Sequence, residues 1–170
     1  MPLTRRDTIF KWASYLIALV VTAVANYYIL SPLPIPIPLL LPLLAVAGGT
    51  LEGAPFGAIY GMACGAVLAG LGGQQGGWCI LTLAAFGWAA GLTAQYVLRR
   101  DVWGYLICSL GALVLWEAWA VGSRLLSHLA PLGVLLRVAV PELLCSLVFL
   151  LPVYWLARFC CIHYGRIYHE

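Results

Sequence analysis

Two carboxylates set in apolar surroundings are the residues of this chain best able to do chemistry. Glu117 stands in Leu115-Trp116-Glu117-Ala118-Trp119, and Glu142 follows Pro141 near the start of another apolar run. A carboxylate in such a run is costly to bury and must face protein, an opposite charge or water. Two chemistries suit it: a proton or substrate site, or an ion pair that ties helices together. Arg124 and Arg137 are close enough in sequence to complete the second, and at least one such pair is expected. Glu117, Glu142, Arg124 and Arg137 are therefore the candidate buried charges. Each carboxylate lacks a neighbouring carboxylate or histidine, which favours an ion pair over a proton relay. Glu52 is expected in a turn ahead of an apolar run, with no role.

Other reactive groups are scattered. Cys64, Cys79, Cys108, Cys145, Cys160 and Cys161 show no Cys-x-x-Cys spacing, so they read as small apolar residues. The adjacent Cys160 and Cys161, just past the last apolar run, stand where a palmitoyl group could be attached. Gly72-Gly73-Gln74-Gln75-Gly76-Gly77 is glycine-rich, but no lysine follows it as in a phosphate-binding loop. No catalytic, cofactor-binding or metal-ligating set is expected.

The elements that must hold these residues follow from composition. Charged residues make up 9% of the 170 and apolar ones 64%. A soluble domain carries about 25% charged residues to face water. The long uncharged runs instead suit a bilayer core of about 30 Å, which asks for roughly 20 residues per helix. Six apolar runs are expected to span it, at about 12–30, 33–49, 54–71, 78–98, 102–122 and 138–157. Residues 1–170 then form one integral membrane domain, an all-α polytopic bundle of six transmembrane helices. A barrel is excluded because its strands would alternate polar and apolar residues.

Orientation follows from the basic residues. With both termini cytoplasmic, Arg5, Arg6, Lys11, Arg99, Arg100, Arg158 and Arg166 lie inside and only Arg124 and Arg137 outside. That asymmetry is the positive-inside pattern. The positive charge orients the chain and meets anionic lipid, so nucleic acid is not implied.

Small residues recur at helical spacing. Gly53, Gly57, Gly61 and Gly65 put four glycines on one face of the third span. Ser14, Ala18, Thr22 and Asn26 make a similar stripe in the first, and Ala85, Ala89 and Thr93 another in the fourth. Such faces let membrane helices approach backbone to backbone, within the bundle or against a partner. The run Ser31-Pro32-Leu33-Pro34-Ile35-Pro36-Ile37-Pro38, with Pro42 beyond it, is expected to be extended or looped before it becomes helical.

Gly57-Ala58-Ile59-Tyr60-Gly61-Met62-Ala63-Cys64-Gly65 leads through a Gly-rich turn to Gly77-Trp78-Cys79-Ile80-Leu81-Thr82-Leu83-Ala84-Ala85-Phe86-Gly87-Trp88, and Arg99-Arg100 follow. This stretch resembles the middle of the rod shape-determining protein MreD family. The end, Pro141-Glu142-Leu143-Leu144-Cys145-Ser146 through Tyr154 to Arg158, is similar to that family's last helix. Two positions depart from it: Gly65 stands where the family often has Asp, and Cys145-Ser146 where an aromatic-Asn pair is common.

The resemblance implies a non-enzymatic membrane scaffold of the bacterial cell-elongation machinery, without a cofactor. Its partners would be MreC and, indirectly, MreB filaments and the wall-synthesising glycosyltransferase and transpeptidase. It also implies a fold similar to the substrate-binding subunits of energy-coupling-factor vitamin transporters. Such a subunit is the alternative function, with a vitamin in an outward cavity. Those subunits commonly dock through Ala-x-x-x-Ala in the first helix, where this chain has Ser14, Ala18 and Thr22.

Overall fold

The computed structural model describes residues 5–30, 39–71, 77–98, 101–127 and 132–164, and their regular structure is entirely helical. The chain runs α1 (Arg5–Val24, continued by a π-helical turn Ala25–Leu30), α2 (Leu40–Glu52), α3 (Ala54–Gly70), α4 (Trp78–Tyr96), α5 (Val102–Leu126) and α6 (Leu132–Tyr164). The Pro-rich stretch 31–38, the turn 72–76, Arg99, Arg100 and Arg166 lie outside the described residues, as do the side chains of Arg5 and Arg6.

Four segments are long and apolar enough to cross a membrane: Thr8–Leu30, Trp78–Tyr96, Val102–Leu126 and Gly133–Ile162. Their outward faces are rows of exposed apolar side chains, among them Leu16, Ile17, Val20, Leu115, Trp119, Val148 and Trp155. A water-soluble surface does not present such faces at this density. This is a membrane protein.

The other two helices are shorter and differently placed. α2 has 13 residues and α3 has 17, about 20 and 26 Å at 1.5 Å per residue. All residues of α2 are buried, and it touches each of the other helices. The reason is compositional: until Thr50 and Glu52, the segment Leu40–Glu52 offers only apolar or small side chains on every face. A helix apolar all round belongs in a core. Pro42 falls in its first turn, where the missing N–H has no partner to lose.

The helix bounds correct the expected runs in four places. α1 begins at Arg5 rather than 12, α2 occupies 40–52 rather than 33–49, α5 continues to Leu126, and α6 covers 132–164 rather than 138–157. Pro141 and Pro152 lie within α6 without ending it. Proline is tolerated in such helices because neighbouring groups take over the freed carbonyls. Because α6 runs on, Cys160 and Cys161 are buried helix residues rather than free lipid acceptors.

One residue reverses the chain between α2 and α3. Gly53 has φ 108° and ψ 173°, a conformation that favours glycine. Its N–H donates to the Gly49 carbonyl at 2.9 Å, while its own carbonyl accepts from the Gly57 N–H at 2.9 Å. Gly53 is thus the turn itself and stands apart from the stripe that follows.

Gly57, Gly61 and Gly65 face α4. A Cβ at Gly57 would strike the Gly87 carbonyl, one at Gly61 the Leu83 carbonyl, and one at Gly65 the backbone of Cys79 and Ile80. Gly49 of α2 abuts the same Gly87 carbonyl, and Gly91 abuts Ala54. Three backbones therefore meet along one glycine seam. The face of α4 in this seam is Leu83, Gly87 and Gly91, while Ala85 and Ala89 are exposed. The expected Ala85-Ala89-Thr93 stripe is two residues out of phase, about 200° around a helix of 3.6 residues per turn.

Candidate functional site

Charged and polar side chains gather at the two ends of α2. At its C-terminal end Glu52 projects toward α1, where Lys11 Nζ lies 2.7 Å from Glu52 Oε1. Both side chains are fully buried. The Tyr15 hydroxyl, one turn along α1, donates to the same Oε1 at 3.0 Å. The Tyr15 carbonyl in turn accepts from the Tyr60 hydroxyl of α3 at 2.9 Å. Trp12, Tyr15, Phe56 and Tyr60 enclose the group, with ring centroids 4.8 to 5.5 Å apart. The cluster locks α1 onto the α2–α3 turn.

This pairing corrects two expectations. Glu52 is not in a turn without a role, and the ion pair does not join Glu117 or Glu142 to an arginine. One signal could have found it: Lys11 and Glu52 are opposite charges at the start of one apolar run and the end of the next. In an antiparallel pair of helices those positions share a level.

At the other end of α2 the carboxylates flagged by sequence do come together. Glu117 of α5, Glu142 of α6 and Arg124 of α5 line one cavity of about 120 Å³, with Leu39, Trp116, Ala139 and other apolar residues completing its wall. Glu117 is 7% exposed and Glu142 half-buried, whereas Arg124 and Arg137 are exposed. Among the described residues no ion pair joins these groups. Arg124 lies in the last turn of α5, where a cation complements the helix dipole and its head can reach outward to water. Arg137 is on α6 and does not line the cavity.

Ser146, one turn beyond Glu142, supports this end. Its hydroxyl donates to the Glu142 carbonyl at 2.7 Å and accepts from the Leu39 N–H at 2.9 Å. Leu39 precedes α2, so the serine satisfies an amide that the helix start leaves without an internal partner.

The first-span stripe turns inward as well. Ala18, Thr22 and Asn26 are buried and Ser14 is half-buried. The Ser14 carbonyl lies 3.8 Å from Cys160 Sγ of α6. The Thr22 hydroxyl donates to the Ala18 carbonyl at 2.7 Å.

Chemically, the Lys11–Glu52 cluster is a closed electrostatic clasp. The cavity is different: two carboxylates and one guanidinium face a shared space, suited to holding a cation or a zwitterion. Comparison with protein-family models, curated proteins and solved structures finds no match to this chain.

Proposed function

We propose that this chain is a non-enzymatic membrane scaffold of the bacterial cell-elongation machinery, a relative of the MreD family with six crossings and both termini in the cytoplasm. It would bind MreC and, through it, help couple MreB filaments to the glycosyltransferase and transpeptidase that build the lateral peptidoglycan wall. One observation carries the reading: Gly57 to Gly65 and Cys79 to Gly87, within the stretches that bear the resemblance, form the backbone-to-backbone seam around α2. A seam of this kind makes a stiff interior and leaves the apolar faces of α1, α5 and α6 for lipid and partner helices. At the two positions of departure the chain has its own solutions. Gly65 lies against the backbone of Ile80, and Ser146 holds the start of α2.

The second reading, a vitamin-binding transporter subunit, would use the cavity at the Arg124 end. Its volume of about 120 Å³ is below the roughly 300–1,000 Å³ typical of small-molecule sites, which favours the scaffold. Affinity purification of the tagged chain from its native membrane in mild detergent tests both. Recovery of a single-pass protein with an external coiled coil, together with wall synthases, is the expected result. Recovery of a multispanning coupling subunit with cytoplasmic ATPases would overturn it.

A further inference from the structure

The cavity between α5 and α6 holds a group that its surroundings leave incomplete. Glu117 is more than nine-tenths buried and lines the cavity, yet it has no hydrogen bond or ion pair among the described residues. Its carboxylate oxygens open onto the cavity, where no N–H or O–H donor of the described residues bonds them. Glu142 brings a second carboxylate to the same space and Arg124 a guanidinium at its exposed rim. With all three ionised the site carries a net charge of −1, distributed as two negative groups and one positive.

That distribution matches a zwitterion. An ammonium offers three N–H donors to two carboxylates, and a guanidinium binds phosphate oxygens through paired N–H groups. The position fits as well. Arg124 is in the last turn of α5 and Glu117 is two turns deeper, about 10 Å along the axis. Val138 lines the cavity and is exposed, and Leu125 and Leu126, which follow Arg124 in the chain, are exposed apolar residues too. A ligand reaching this site comes past a lipid-facing surface at the end of the bundle.

We propose that the Glu117–Glu142–Arg124 cavity binds a phosphoethanolamine group, with its ammonium between the two carboxylates and its phosphate on Arg124. The group comes either from the headgroup of phosphatidylethanolamine or from a soluble phosphoethanolamine. The site goes beyond the scaffold reading and does not depend on it.

Native mass spectrometry of the full chain in detergent tests the assignment. Equimolar phosphatidylethanolamine and phosphatidylglycerol with identical acyl chains are added, and the retained adducts are counted. The ethanolamine lipid is expected to be retained about tenfold over the glycerol lipid, the equivalent of one charge-assisted hydrogen bond. Glu117→Gln and Glu142→Gln should each bring the ratio close to one. Glu142 is the less buried, so its variant gives the reading where Glu117→Gln fails to fold. Soluble phosphoethanolamine added to delipidated protein distinguishes the sources. If it binds with the same dependence on Glu142 while the lipids show no preference, the headgroup chemistry stands and the source is soluble. Equal retention of both lipids with no binding of the soluble compound would overturn the proposal. A preference unchanged in both glutamine variants would overturn it too.

Discussion

Removing Lys11 should damage this protein far more than removing both Lys11 and Glu52. The two side chains are fully buried and 2.7 Å apart. At that separation their attraction is about 6 kcal/mol for an effective dielectric constant of about 20. Stripping water from each ion costs several kcal/mol, so the intact pair is close to neutral in net stability. Lys11→Met takes from Glu52 the ammonium at 2.7 Å and leaves the Tyr15 hydroxyl in place, and should cost about 3–5 kcal/mol. Glu52→Gln strands the ammonium and should cost a similar amount. The double variant removes both charges and should return to within about 1 kcal/mol of the parent. Reversible unfolding in mixed micelles, followed by circular dichroism, gives the four stabilities of the cycle. Single variants costing less than about 1 kcal/mol would show that the pair behaves as an exposed one and that water reaches it. A double variant as unstable as the sum of the singles would refute coupling between the two residues.

Three further substitutions probe the frame around α2. Gly87→Ala places a Cβ against the Gly57 carbonyl and should lower thermal stability in detergent by about 1–3 kcal/mol through overpacking. Gly111→Ala meets nothing within 4 Å and should be neutral or stabilising by up to about 1 kcal/mol; equal losses from both would contradict the seam. Ser146→Ala leaves the Leu39 N–H without its acceptor and should cost about 1–3 kcal/mol. Faster hydrogen exchange at the start of α2 is the accompanying signature, and unchanged exchange there would argue against the capping role.

The membrane-spanning helical character of the chain was legible from composition, because so few charged residues cannot cover a soluble globule. The close approach at Gly57, Gly61 and Gly65 was legible too, since four-residue spacing keeps glycines on one helix face whatever that face meets. Glu117 was recognisable as buried and Arg124 as its neighbour, because both lie on one helix within two turns. What periodicity could not supply was phase and partnership. A stripe at 85, 89 and 93 has the same spacing as one at 83, 87 and 91, and only the position of α2 and α3 selects the second. The full burial of α2 arises from its neighbours on every side, which its own residues permit but do not compel. Lys11 meets Glu52 across two helices because an antiparallel reversal brings them level. The charges of Glu117 and Arg124 stay apart because two helical turns, about 10 Å, separate them and Arg124 is exposed while Glu117 is buried. Local spacing dictates which residues share a face; the assembled bundle decides what that face touches.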